Sequence, residues 1–493
     1  MNTARYPRKV LAALLATNLI VTPVAAQAPL TEQLPEIGDV SGNLMTPAEE
    51  QRLGKAFMRG IRNSEKVVDD PLLVDYLQDL GRRLVSHSDA AGKDFTFFLI
   101  DNPQINAFAG PAGYIGVYTG LILASETESE LAAVLAHEIA HVTQSHLRRT
   151  WQAASRLSVP QAAVLLAAVM LGIAVGGDAA MAAATAGQAG LIQQQLNFTR
   201  ANEQEADRVG IGILAESDYD PRAMPSFFQR LGRANQSSAS TIPEYLRTHP
   251  VTTSRIADSL GRAETYPFKQ RVEDMRFHML RAALRERQIS NPREAVLQFK
   301  RSLDEGRYRQ ESAERFGYAL ALIRNGQLDD ARREVDALLR EYPTTTELII
   351  LSARLYRKAG APRRGLEEVR DALTLFPANY PLNLTLAEML LADGQPDEAY
   401  RLLRGQLTLR PTDARLYELL ARAAGADGKS TEGHEYLAEH NYLIGDLEAA
   451  VLQLEIALKD KDLSFYDRSR LESRRQQMKE ELEETKRREA KAG

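Results

Sequence analysis

His137-Glu138-Ile139-Ala140-His141 decides how the first half of this 493-residue chain is read. These residues sit inside a long helical stretch running from roughly Glu126 to Arg149. Histidines at i and i+4 share one helical face, one turn apart, so both imidazoles reach a single Zn²⁺ at ~2.0–2.1 Å. Glu138 follows the first histidine and is turned off the ligand axis, where it meets a zinc-bound water without being a ligand. The bland alternative is two ordinary histidines on an amphipathic helix. The spacing favours a metalloprotease signature.

A catalytic zinc wants three protein ligands and an open position. His146 lies only five residues beyond His141, too close for a third histidine of the metzincin pattern. The better source is the polar helix expected over 199–216, which contains Asn202-Glu203-Gln204-Glu205-Ala206-Asp207. Glu203, Ala206, Asp207 and Gly210 share one face, and the small residues there permit close packing. Spacing thus makes Glu203 the candidate third ligand. Asp207, one turn on, is placed to accept the far N–H of a ligand histidine. Glu205 points elsewhere and reads as solvated.

Around this centre, the composition excludes several classes. Hydrophobic residues make up 44% and charged residues 26%, which fits neither disorder nor a polytopic membrane protein. The net charge of −5 gives no basic excess for nucleic acid. There is no cysteine, so any metal site must be built from His, Asp and Glu. Residues 1–28 carry Arg5, Arg8 and Lys9, an apolar run and Val24-Ala25-Ala26-Gln27-Ala28, the layout of an export signal cleaved near Ala26 or Ala28.

Thr46-Pro47-Ala48-Glu49 reads as a capping box opening a helix, and a second helix is expected over 71–85. Strands are expected at 95–100 and 114–118, joined by turns and a short or irregular edge from Asn106 to Gly113. The apolar run 162–175 is short for a bilayer span and reads as a buried helix or a peripheral membrane contact.

The second half repeats itself. Pro343, Pro377 and Pro411 are 34 residues apart, as are Gly326, Gly360, Gly394 and Gly428, and Ala319, Ala353, Ala387 and Ala421. That period, with small residues at fixed sites, resembles the tetratricopeptide repeat, a helix pair stacking on its neighbours. Pro292-Arg293-Glu294-Ala295 marks a degenerate unit upstream, and Gly445 falls half a repeat beyond Gly428.

The helical His-Glu-x-x-His, followed some 60 residues later by Glu203-Gln204-Glu205-Ala206-Asp207, resembles the HtpX and CAAX-prenyl-protease family of zinc metallopeptidases. The fold this implies is α+β and mostly α: a zincin-like metalloprotease domain with a small sheet, then an α-solenoid of tetratricopeptide repeats. The expected division is 1–28 signal, 29–270 protease, 271–465 repeats and 466–493 a charged helix. The resemblance implies one Zn²⁺ per subunit held by His137, His141 and Glu203, with Glu138 as base and Asp207 in support. It also implies that Gly113, Tyr114, Ile115, Gly116 and Val117 form an edge strand on which substrate adds as a further strand.

His249, in Arg247-Thr248-His249-Pro250, has three readings: a surface or capping histidine, a switch occupying the open zinc position, or an oxyanion stabiliser. By the resemblance, the protein works in the periplasm. Its substrates are unfolded or misassembled outer-membrane proteins, and its repeats meet the β-barrel assembly machinery. The competing reading is a non-proteolytic scaffold with a vestigial or structural zinc site. The intact Glu138 argues against it, since a structural site has no use for a base.

Overall fold

The computed structural model describes residues 46–146, 189–237, 243–268, 271 and 273–492. The export signal expected over 1–28 and the apolar run 162–175 lie outside the described residues. Among the described residues, no helix is long and apolar enough to cross a membrane.

Helix α1 (Pro47–Ser64) opens on the expected capping box, with Glu49 N–H donating to the Thr46 hydroxyl and the Glu49 side chain accepting from Thr46 N–H. Strand β1 (Val67–Val68) and helix α2 (Pro71–Ser86) follow, then β2 (Thr96–Ile100), β3 (Ala107–Ala109) and β4 (Tyr114–Tyr118). The sheet order is β1-β2-β4-β3. Phe98, Ile100, Phe108 and Tyr118 pack on Phe57 and Ile61 of α1, whereas Phe97, Leu99, Ala107, Ile115 and Val117 join the larger core with α2. Both faces are covered, so the strands read as continuous apolar runs rather than alternating ones.

This order corrects one expectation. Strand β4 pairs in parallel with β2, Phe98 facing Gly116, and antiparallel with β3, Phe108 facing Gly116. Gly113, Tyr114, Ile115, Gly116 and Val117 therefore do not form an edge: the backbone of β4 is committed on both sides and cannot receive an added strand. The segment from Asn106 to Gly113, read as a short or irregular edge, supplies the edge strand β3.

Beyond α3 (Thr119–Ala124) and the histidine-bearing α4 (Glu128–Thr143) come α5 (Ala189–Glu216), α6 (Ala223–Ser237), α7 (Glu244–Thr248) and α8 (Thr253–Glu264). Helix pairs then run from α9 (Met275–Gln288) and α10 (Pro292–Asp304) through α11 (Glu311–Asn325), α12 (Leu328–Glu341), α13 (Thr346–Lys358), α14 (Pro362–Leu375), α15 (Tyr380–Ala392), α16 (Pro396–Leu409), α17 (Ala414–Ala426), α18 (Ser430–Ile444) and α19 (Leu447–Ala457). Gly326, Gly360, Gly394 and Gly428 all take φ between 73° and 81°. Only glycine enters that left-handed region without strain, and it turns each first helix into its partner. The charged α20 (Phe465–Ala492) buries Leu471 and Met478 against α18 and α19, closing the array.

The array is not a free appendage. Helix α9 gives Phe277, Leu280 and Leu284 to the core of the first half and Met279 and Ala282 to that of the repeats. Helix α2 lies against α9 and α15, with Leu72 packed on the repeat core, its N-cap Asp70 paired to Arg354 of α13, and Asp75 beside Arg276 and Arg410.

Candidate metal centre

Helices α4 and α5 cross where α5 carries no bulk. A Cβ on Gly210 would stand 3.2 Å from His137 N, so glycine sets the approach that brings Glu203 to the histidines. His137, His141, Glu203 and His249 converge there, their donor atoms all within 4.8 Å of one another. His141 Nε2 is 3.0 Å from His137 Nε2, and each lies 3.4 Å from a Glu203 oxygen. Four donors at ~2.1 Å around a tetrahedral centre are about 3.4 Å apart, so the nitrogen and carboxylate donors present fit a zinc ion.

His249 caps the C-terminus of α7 by donating its backbone N–H to Tyr245 O, yet its ring is buried in the cluster. Its Nδ1 is 3.1 Å from both Glu203 oxygens and 3.3 Å from His137 Nε2. Tyr245 stacks on the ring at 4.8 Å and fixes its plane. A purely surface position is thereby excluded. Glu138 is buried, its Oε1 facing His249 Nε2 at 3.4 Å without a hydrogen bond.

Asp207 faces His137 Nδ1 at 3.0 Å. Arg255 of α8 grips Asp207 through Nε at 2.7 Å and Nη2 at 2.8 Å, and sets Nη1 3.0 Å from Glu203. Burial lowers both histidines, but hydrogen bonds that His137 donates to Asp207 and Glu203 carry it up to about 9, while His141 falls to about 4. Burial raises Glu203, yet the charge of His249 and the hydrogen bonds of the three histidines hold it well below the usual carboxylate range.

Sequence reasoning missed Arg255, which no motif announces, and it misread Glu205. That carboxylate accepts from His146 Nε2 at 3.0 Å, and His146 Nδ1 meets His141 Nδ1 at 2.9 Å. The remaining histidines have local partners: His87 with Arg83 O, His278 with Glu273, His434 with Gln453 and His440 with Ala414 O.

Residues 71–263 match peptidase family M48, and residues 356–423 match the tetratricopeptide repeat. The chain is 39% identical over 339 residues to a Vibrio cholerae protein whose name assigns it provisionally as a β-barrel assembly-enhancing protease, covering 69% of each. It is 35% identical over 375 residues to the β-barrel assembly-enhancing protease of Escherichia coli, covering 73% of this chain and 76% of that protein. A mitochondrial metalloendopeptidase of Arabidopsis thaliana is 27% identical over 196 residues, 38% of this chain and 35% of its own length.

Proposed function

This chain belongs to peptidase family M48, and we propose that it serves the assembly and quality control of outer-membrane β-barrel proteins in the periplasm, degrading precursors that misassemble. It is a metalloendopeptidase, and its metal is zinc. The observation that carries the reading is a buried, unbonded Glu138 oxygen beside four converging donors.

In this reading His137, His141 and Glu203 hold the ion. Zinc, when bound, supplies the Lewis acidity that acidifies water and polarises a carbonyl. Glu138 takes the proton of the attacking water and hands it to the leaving amine. Asp207, held by Arg255, orients His137 through its Nδ1. His249 would complete the donor set and so keep the resting enzyme latent until it moves; its Nδ1 among the other donors supports this over an oxyanion role.

The docking strand for substrate is β3. Asn106 O and Gly110 N–H point to β4, so alternation turns the backbone groups of Ala107 and Ala109 away from it, Ala109 at 8% exposure being the more accessible of the two and Ala107 fully buried. An added strand selects extended, unfolded chain. We assign 29–270 to the protease and 271–465 to the repeats, which meet the assembly machinery. Purified full-length protein should cleave an unfolded outer-membrane protein, and a chelator should abolish the cleavage. Chelator-resistant cleavage, or none at all, overturns the reading.

A further inference from the structure

We propose that Glu205 and His146 act as a positioning relay for His141, fixing which ring nitrogen carries its proton and so preparing the other for zinc. The proposal rests on the zinc reading above. His141 turns Nε2 into the donor cluster, 3.0 Å from His137 Nε2 and 3.4 Å from Glu203 Oε1. A ring that offers its Nε2 lone pair to a metal carries its proton on Nδ1, and that proton needs an acceptor. The group facing it is His146 Nδ1, at 2.9 Å. His146 then bears its own proton on Nε2, which points at Glu205 Oε2 3.0 Å away. One carboxylate thus sets the protonation of two rings in series.

The geometry explains why a second imidazole is needed. Glu203 and Asp207 lie one turn apart on the face of α5 that meets the histidines, and each reaches it directly. Glu205 lies at i+2, some 200° round the helix from Glu203, so it does not share that face. His146 bridges the gap.

The chain turns sharply to place it. Helix α4 ends at Thr143, Ser145 takes φ +56°, and His146 folds back on His141 rather than continuing the helix. A non-glycine residue in the left-handed region is strained and persists only where its surroundings enforce it. The side chain so placed is 5% exposed. His137 has a carboxylate directly behind it, and His141 has one behind an intervening ring.

The test measures zinc affinity of the full-length protein by competition with a chromophoric chelator, alongside thermal melts of the metal-free form. His146→Ala and Glu205→Gln should each weaken zinc about 10- to 100-fold. The double variant should be no weaker than the worse single one, because both break one chain of contacts. His146→Gln, which keeps an acceptor toward His141 and a donor toward Glu205, should recover affinity to within a few-fold and guards against misfolding of the alanine variant. In the zinc-loaded protein, nitrogen NMR should show the His141 proton on Nδ1, and Glu205→Gln should shift that signal. Wild-type affinity in both single variants, or additive losses that track metal-free stability, overturns the relay while leaving the zinc site intact. A wild-type protein that binds no zinc, and is indistinguishable from His137→Ala, overturns both readings.

Discussion

Arg255 clasps Asp207 with two nitrogens, at 2.7 and 2.8 Å, and the pair is buried on both sides. Removing one member leaves the other as an uncompensated buried charge. Arg255→Met should therefore destabilise the protein by about 3–5 kcal/mol, and Arg255→Met with Asp207→Asn should regain part of that loss. Urea unfolding of the metal-free protein measures both. Equal stability of the single and double variants would show that the pair does not act as a unit.

The candidate ligands and the candidate base should separate cleanly. His137→Ala, His141→Ala and Glu203→Ala should each lower zinc content. Glu138→Gln should keep zinc and lose cleavage by about 10²–10⁴-fold. Full zinc occupancy in Glu203→Ala would send the search to another third ligand.

His249→Ala should raise basal cleavage of unfolded substrate with metal content unchanged. An oxyanion role gives the opposite sign, a loss of about 10²–10³ in kcat. Activity equal to the parent would remove this ring from the mechanism despite its place in the cluster.

Ala109→Pro deletes an N–H that faces away from the sheet. Proline is tolerated at such an edge, so the fold and zinc should survive while KM for extended substrates rises. A proline variant with unchanged KM would exclude β3 as the docking strand.

Asp75, beside Arg276 and Arg410, has its carboxyl pushed up to about 6 by burial and by neighbouring Asp79. Its folded value lies above the unfolded one near 3.8, so the unfolded chain ionises first as pH rises. Stability should fall between about pH 4 and 6 by on the order of 3 kcal/mol from this group and stay low above that window. Asp75→Asn should flatten this part of the profile. An unaltered slope in thermal melts from pH 4 to 7 would contradict it.

Much of this was legible in the sequence because it is periodic or local. The capping box at Thr46, the i, i+4 histidines and the 34-residue glycines each encode their structure within a few residues. Strand order is not local. Nothing in Gly113–Val117 says whether β4 lies at an edge, because that depends on where Ala107–Ala109 returns, and a three-residue strand covered on both faces has no alternation to betray it. Arg255 lies 48 residues from Asp207 and belongs to no motif. The reading of Glu205 as solvated failed for a related reason: periodicity tells which way a side chain leaves its own helix, not what waits there.

Helix α2 rests against α15, the first helix of one repeat pair, and is tied by Asp70 to Arg354 in the first helix of the pair before it and by Leu72 to the repeat core. That surface already has a tenant. A visitor seeking it must compete with a segment of the same chain, present at the millimolar effective concentration that a short tether confers. A loose visitor is turned away, and one that succeeds must lift α2, which shares its core with the histidine helix. Admission and notification are then a single event: the repeats cannot be entered on that side without the catalytic half registering it.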